Sequence, residues 1–356
     1  MVTICSLLAV PVSAEERVML TELEAAANSI VLSWTDVGAA NYQIWRATSP
    51  NGAYLPVGRT EETTYQDAGL RTGTVYYYKV RPYRSIEAGY GAFSEPKGQC
   101  CVQLVEAWAE QNPCYRQNRT ITVRGLMLHS VGCPQEQAAV FAANWNRMDA
   151  EVLVHAVIDP SGSVWQLADW EMRCWHCGGV GNDSLIGVEM TEPDELRYLK
   201  ADAFVWRSDA DVTAIRNYNT AVALFAGLCL RYELDPLQDI FSHREAGTTG
   251  TASAHGDPEH LWNGLGFSLD MDTFRRDVQR KMNGTYILRN AETENDSIVT
   301  VSAGILNVRS GPGTHYSVTG QLYRGEKAVV SEVLQQEDHL WGKLLSGDWI
   351  SLTYTS

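Results

Sequence analysis

Basic residues are scarce in this chain of 356 residues: 28 Lys and Arg stand against 43 Asp and Glu, a formal net charge of −15. Such an acidic chain is poorly suited to hold nucleic acid or an anionic membrane surface by charge. Long apolar runs are also missing, since none reaches the about 18 residues that a membrane-spanning helix needs. Hydrophobic residues at 45% and charged residues at 20% exclude wholesale disorder. The length predicts two or three domains.

Residues 1–14 predict an export signal. Residues 2–12 form an apolar run of signal-peptide length, and small residues precede Glu15. No basic residue precedes the run, which departs from the usual signal pattern. The alternative is a buried strand, but Pro11 would interrupt it. We therefore expect a secreted protein.

The chain has eight cysteines, a number that fits an exported protein. Without Cys5 of the export segment seven remain, so at least one thiol stays free or pairs between chains. Cys174 and Cys177 form a C-x-x-C pair, but no second pair lies at ligand spacing, so a four-cysteine zinc site is not predicted. Structural or locally paired cysteines are expected.

Residues 17–98 predict a β-sandwich. Strands with alternating polarity are predicted at 30–34, 42–46 and 75–80, with turn residues between them and no helical periodicity. Closely spaced short strands of this kind are typical of two packed antiparallel sheets.

This first domain resembles a fibronectin type III module. Trp34 stands where the core tryptophan of the family stands, and Leu70, Tyr76, Tyr78 and Val80 match its L-x₅-Y-x-Y-x-V run. The domain has no cluster of titratable residues, so we expect a spacer or docking module without catalysis.

Residues 101–285 predict an α/β domain with a mixed sheet flanked by helices, because strand patterns alternate with helix patterns. A strand is predicted over 120–128 that ends at His129, and Pro134 is expected to open the next helix. Ser208 is the predicted N-cap of a long helix.

A polar linker is predicted over residues 286–298, followed by a small β-barrel over 299–356. Residues 306–313 (LNVRSGPG) and 347–350 (GDWI) resemble the bacterial Src-homology-3-like domain. That resemblance implies a domain that tethers a wall-active enzyme to peptidoglycan; a barrel without a ligand is the alternative. The barrel has no candidate catalytic group, so deleting 299–356 is expected to leave cleavage of a small soluble substrate nearly intact.

Candidate metal ligands lie in the central domain, which holds six of the eight histidines. His129, His243 and Asp257 come from separate segments, each beside small or turn residues. One histidine alone is more often a packed core or surface residue. Three ligands of histidine and carboxylate type with an open fourth position are the pattern of a catalytic zinc.

Glu189 is the candidate general base. It lies in a predicted strand over 186–190, whose apolar side chains share one face while Gly187 and Glu189 share the other. A carboxylate opposite the core, beside a residue without a side chain, is well placed to accept a proton. An exposed glutamate on an edge strand is the alternative.

Four motifs in this order resemble the zinc-dependent N-acetylmuramoyl-L-alanine amidases, whose superfamily includes the peptidoglycan recognition proteins. The resemblance covers most of residues 101–280. The motifs are Gly125–Ser130 (GLMLHS), Trp175-His176, Asn182–Glu189 (NDSLIGVE), and His243 followed by His255–Pro258 (HGDP).

The resemblance implies that His129, His243 and Asp257 bind Zn²⁺ and that Glu189 is the base. In that family a lysine two residues before the third ligand supports the oxyanion, and here His255 replaces it. His255 therefore either takes this catalytic role or is itself the third ligand, with Asp257 behind it.

The resemblance also implies that His155, Trp175 and His176 line the groove and contact substrate, although His155 and His176 could equally be hydrogen-bonded scaffolding. The expected reaction is hydrolysis of the amide bond between N-acetylmuramic acid and L-alanine in peptidoglycan, by a monomer without a nucleic-acid partner. An autolysin and a prophage lysin both fit. A non-catalytic peptidoglycan receptor on the same fold is the alternative.

Overall fold

The computed structural model describes residues 17–291, 297–336 and 339–356. The expected export segment at residues 1–14 lies outside the described residues, as do residues 292–296 of the predicted linker. Within the described ranges, no helix combines the length and the apolar character needed to cross a membrane.

The N-terminal domain consists of two antiparallel sheets with strand orders β1-β2-β5 and β4-β3-β6-β7, the second extended by β8 on β6. The strands predicted at 30–34, 42–46 and 75–80 correspond to β2, β3 and β6. The eight strands are β1 (Leu20–Ala25), β2 (Ser29–Trp34), β3 (Asn41–Ala47), β4 (Leu55–Thr60), β5 (Thr64–Ala68), β6 (Val75–Ser85), β7 (Gly89–Tyr90) and β8 (Lys97–Cys100).

Strand β6 contributes side chains to two hydrophobic cores, because successive side chains of a strand point to opposite faces of the sheet. Tyr76, Tyr78 and Val80 are buried with Trp34 inside the sandwich. Tyr77 points the other way into the core of the central domain, and its hydroxyl donates a hydrogen bond of 2.7 Å to the Met282 carbonyl. The first domain is therefore docked onto the second.

The central domain contains a mixed sheet, as the sequence predicts, and this sheet has six strands in the order β16-β10-β13-β11-β12-β9. Its strands and those of a separate hairpin are β9 (Gln103–Glu106), β10 (Gly125–Pro134), β11 (Ala156–Ile158), β12 (Ser163–Gln166), β13 (Leu185–Glu192), β14 (Leu196–Lys200), β15 (Ala203–Trp206) and β16 (Ile240–Ser242). Its helices are α1 (Pro113–Gln117), α2 (Ala138–Trp145), α3 (Ala210–Tyr232), α4 (His243–Thr248), α5 (Glu259–Gly264) and α6 (Met271–Met282), with a 3₁₀ turn at Val180–Asp183.

The long helix α3 covers one face of this sheet. Leu128 and Val188 from the sheet are buried in one cluster with Leu224 and Phe225 of α3. Strand β8 of the first domain packs on another side of α3, where a Cβ on Gly227 would lie 2.8 Å from the Gln99 Oε1 atom. The candidate site lies on the opposite face of the sheet.

Four predicted boundaries are wrong. Strand β10 begins at Gly125 and not at residue 120, and it does not end at His129 but continues to Pro134, with regular pairing to β13 as far as Ser130. Pro134 ends this strand, and α2 begins at Ala138. Ser208 has a left-handed φ of 49° that is incompatible with an N-cap, so Asp209 occupies that position.

The C-terminal domain is a nearly closed, barrel-like sheet around Leu306, Val308, Leu322, Leu344 and Ile350. Its elements are β17 (Ile298–Thr300), β18 (Ile305–Arg309), β19 (Val318–Tyr323), β20 (Lys327–Gln336), β21 (His339–Leu344) and β22 (Trp349–Ser351), followed by a 3₁₀ turn at Leu352–Tyr354.

The β14–β15 hairpin of the central domain joins this barrel. Strand β15 pairs with β20 at Trp206 and Lys327, and Val205 is buried in the core of the barrel. The expectation that deleting the barrel leaves the rest intact is therefore revised, because deletion would expose Val205 and open the edge of β15.

The predicted linker is partly structured. The Tyr286 hydroxyl donates to the Asn219 side chain on α3, and Arg289 forms an ion pair with Asp277 on α6. The seven cysteines from Cys100 to Cys229 are all free thiols in the structure.

Candidate metal centre and active site

Adjacent strands bring the three predicted ligands together. In β10 and β16, Leu128 lies opposite Ser242, so the next residues, His129 and His243, are neighbours. Ser242 caps α4 through a reciprocal pair of hydrogen bonds with Glu245, which fixes where His243 leaves the strand. Asp257 is held against both histidines by the loop before α5.

The ligand atoms lie at distances that suit one metal ion. The Nδ1 atoms of His129 and His243 are 3.1 Å apart, and Asp257 carboxylate oxygens lie 3.2 Å and 3.5 Å from them. A tetrahedral zinc with bonds of about 2.0–2.1 Å needs ligand atoms roughly 3.3 Å apart. All three residues are buried.

A hydrogen-bond relay leaves the His129 Nδ1 atom unprotonated. The His176 Nε2–H group donates to the Leu185 carbonyl (3.1 Å), so its Nδ1 atom accepts from the His129 Nε2–H group (3.0 Å). The His129 Nδ1 lone pair then faces the cluster. Gly187 makes room for this relay, because a Cβ there would lie 2.4 Å from the His176 ring.

A second hydrogen-bond relay leaves the His243 Nδ1 atom unprotonated. The Ser253 hydroxyl donates to the Cys177 carbonyl (3.2 Å), and its oxygen accepts from the His243 Nε2–H group (3.1 Å). Fixing the outer nitrogen in this way is how proteins set the tautomer and orientation of a metal-binding histidine.

Asp257 completes the ligand group. Its carboxylate oxygens face the unprotonated Nδ1 atoms of His129 and His243 at 3.2 Å and 3.5 Å, so neither of these nitrogens donates a hydrogen bond to it. The donor set is thus two neutral imidazole nitrogens and one carboxylate, which suits zinc.

Glu189 lies beside this cluster as the sequence predicts. It is the register partner of His129 in the parallel pair β10–β13, so both side chains leave the sheet on the face opposite α3. Its Oε2 atom is shielded from solvent and has no hydrogen-bond partner among the described residues. Burial, then the charges of Asp257 and Glu192, raise the pKa of Glu189 well above its usual range.

His255 lies at the solvent-exposed side of the cluster. Its Nδ1 atom is 3.0 Å from the His243 Nε2 atom and 3.2 Å from the His243 Nδ1 atom. The converging group in the described residues is His129, His243 and Asp257. This arrangement favours Asp257 over His255 as the third ligand.

The three residues expected to contact substrate are wholly or partly buried in the structure. His155 is fully buried; its Nδ1 atom accepts from the Gly187 amide and its Nε2–H group donates to the Met172 carbonyl. Burial lowers the pKa of His155 to about 4. Trp175 is half-buried against a hydrophobic cluster, and His176 belongs to the relay. These hydrogen bonds favour the scaffold alternative for His155 and His176, and contact of substrate with Trp175 stays a prediction.

One buried polar network, centred on Glu192, was not predicted from the sequence. Glu192 is fully buried and accepts from the Gly132 amide (3.0 Å) and the Tyr198 hydroxyl (2.5 Å). The His260 Nε2 atom lies 3.2 Å from Glu192 and 3.0 Å from the Tyr198 hydroxyl. Nothing in the local pattern indicates this contact, since it joins three distant segments.

Comparison with known proteins decides the family of the central domain. Residues 118–260, which hold His129, Glu189, His243 and Asp257, match the family model described as N-acetylmuramoyl-L-alanine amidase. Residues 118–260 belong to this family. No curated protein matches the chain.

Solved structures similar to the amidase domain share little sequence with it. The Staphylococcus aureus hydrolase AmiA, solved in complex with its ligand, is 18% identical over 52% of this chain and 88% of its own, with a TM-score of 0.40. A mutant endolysin from Bacillus subtilis is 19% identical over 50% of this chain and 99% of its own, with a TM-score of 0.34. The assignment of the amidase domain therefore rests on the family model.

Proposed function

We propose that this protein is a zinc-dependent N-acetylmuramoyl-L-alanine amidase that hydrolyses the amide bond between N-acetylmuramic acid and L-alanine in peptidoglycan. The observation that carries the proposal is the pairing of the His129, His243 and Asp257 cluster with the unpartnered Glu189 carboxylate on one face of the sheet. The family match of residues 118–260 supports the same reaction.

The metal-ligating side chains are held in a binding geometry by the protein itself. The relays through His176 and Ser253 hold both imidazoles neutral and turn their Nδ1 atoms toward Asp257. Zinc bound there supplies Lewis acidity to the amide carbonyl and lowers the pKa of a water molecule toward about 7.

Glu189 moves the proton. Its carboxylate accepts a proton from the attacking water and passes it to the departing alanine nitrogen, which leaves as an amine. No hydrogen bond from a described residue competes for its Oε2 atom. A carboxyl whose pKa is raised by burial is a better proton acceptor once ionised, because its ordinary basicity in water is too low for this task.

We propose that His255 supplies the N–H donor that supports the oxyanion. It is exposed and in contact with His243, and it is not needed to complete the three-ligand set. Removing one such donor typically costs about 3 kcal/mol of barrier.

The enzyme is favoured over a receptor by the same residues. A non-catalytic peptidoglycan receptor has no need of a third ligand or a base, and both candidates are in place here. The wall-binding role of the C-terminal domain and secretion of the protein remain part of this proposal, because a weak tether raises the local concentration of an enzyme on an insoluble polymer.

The test is product analysis. The zinc-loaded full chain is incubated with a soluble muropeptide, and mass spectrometry identifies the fragments. The proposal expects a peptide with a free N-terminal alanine and a sugar with a free lactyl carboxylate. Cleavage of a different bond, or none, would refute it. A chelator-treated sample serves as the control.

A further inference from the structure

A cleft of 580 Å³ lies between the amidase domain and the C-terminal domain, next to the metal cluster. The amidase domain contributes most of its wall, and the C-terminal domain contributes Leu345, in the turn between β21 and β22. The residues of the cleft that matter here are Asp202, Arg244, His255 and Leu345.

The two walls are held together by the β14–β15 hairpin. Arg197 on β14 forms two parallel hydrogen bonds, of 2.9 Å and 2.7 Å, with the buried Glu326 carboxylate. The Lys200 ammonium lies 2.7 Å from the Asp348 carboxylate and donates to the Ser346 carbonyl at 2.8 Å. These contacts fix the turn that carries Leu345.

Two charged side chains of the cleft have no partner within the described ranges. The Asp202 carboxylate and the Arg244 guanidinium are exposed, and within the described ranges neither side chain has a hydrogen bond or ion pair. A ligand with both anionic and cationic groups would satisfy both side chains.

The cleft lies beside the candidate metal centre. His255 lines it and is also in contact with His243. The Asp202 carboxylate lies against Gly256, where a Cβ would come within 2.9 Å of its Oδ1 atom, and Gly256 directly precedes Asp257. A molecule bound here is thus next to the site of cleavage.

We propose that this cleft binds the peptide stem of the substrate, a short peptide with free carboxylates and an ammonium group. Arg244 receives a carboxylate of the peptide, Asp202 receives its ammonium group, and Leu345 closes the side away from the amidase domain. The C-terminal domain is then a part of the substrate site as well as a tether. The identity of the peptide rests on the proposed function.

The test is calorimetric binding of a stem peptide to the metal-free full chain. The probe is the tripeptide L-alanyl-γ-D-glutamyl-L-lysine, which carries carboxylates and a side-chain ammonium group. We expect the wild type to bind it, Arg244→Gln and Asp202→Asn each to bind about tenfold more weakly, and Leu345→Trp, which fills the cleft, to lose binding. A hydrogen bond to a charged group contributes about 1.5–3 kcal/mol, which corresponds to tenfold or more.

Matched controls are Arg216→Gln, an exposed arginine on α3, and Leu237→Trp, an exposed leucine outside the cleft. Both are expected to bind like the wild type. Failure of the wild type to bind, or equal binding by cleft and control variants, would overturn the inference. Binding needs no turnover, so a chain that binds the tripeptide but cleaves no muropeptide would refute the proposed function and leave the cleft assignment standing.

Discussion

His129 and Glu189 are direct register partners on the adjacent parallel strands β10 and β13. Their side chains leave the sheet on the same face, so the spacing between a metal ligand and the candidate base is set by backbone hydrogen bonds. The opposite face of both strands is packed on α3. A one-residue slip would move both groups into the core, so the hydrophobic packing of the sheet also protects the geometry of the site.

The first prediction separates the base from the ligands. Glu189→Gln keeps the shape of the side chain and removes the proton acceptor, so we expect full zinc content, an unchanged melting temperature and a turnover lower by about 10²–10⁴-fold. Zinc analysis, thermal unfolding and muropeptide hydrolysis measure the three quantities. Wild-type turnover in this variant would show that the mechanism is wrong even if the fold is right.

A second prediction distinguishes the third ligand. Asp257→Ala should lose zinc, because Asp257 completes the buried group with His129 and His243. His255→Ala should retain zinc and lose turnover, because its role is toward the oxyanion. The reverse pattern, with zinc lost in His255→Ala and kept in Asp257→Ala, would make His255 the ligand.

The third prediction concerns the relay behind His129. His176→Ala leaves all three ligands in place but removes the acceptor for the His129 Nε2–H group. We expect zinc affinity to fall by about 10–100-fold, the usual effect of losing such a partner. Competition with a chelator of known affinity measures it. If His176 contacted only substrate, zinc affinity would not change and only KM would rise.

Removing the C-terminal domain is the fourth test. Deletion of residues 297–356 exposes Val205 and leaves Arg197 without Glu326. Burying a valine side chain contributes about 1.5–3 kcal/mol, so we expect a lower melting temperature and weaker cleavage of soluble muropeptide. A truncated protein with wild-type stability and soluble activity would mean that the barrel is only a tether.

Much of the site could be predicted from local patterns. Alternation within Ile186–Met190 places Glu189 on the face opposite the core, and the structure confirms this placement because Ile186, Val188 and Met190 are buried against α3. The mixed sheet of the central domain follows from alternating strand and helix patterns, and it too is confirmed.

The remaining features depend on contacts between distant segments. His155 and His176 are both expected to contact substrate, yet their roles are decided by which backbone carbonyls reach their ring nitrogens. Ser253 lies in a loop of small residues where no pattern distinguishes it. The pairing of β15 with β20 escaped prediction because domain docking leaves no periodic signal in either strand.

Zinc content is the most direct test of the central claim that His129, His243 and Asp257 form a metal centre. Elemental analysis of the dialysed full chain and of its His129→Ala and His243→Ala variants is the measurement. The account predicts one zinc per wild-type chain and loss of that zinc in both variants. Absence of zinc from the wild type, or unchanged zinc in both variants, would contradict it.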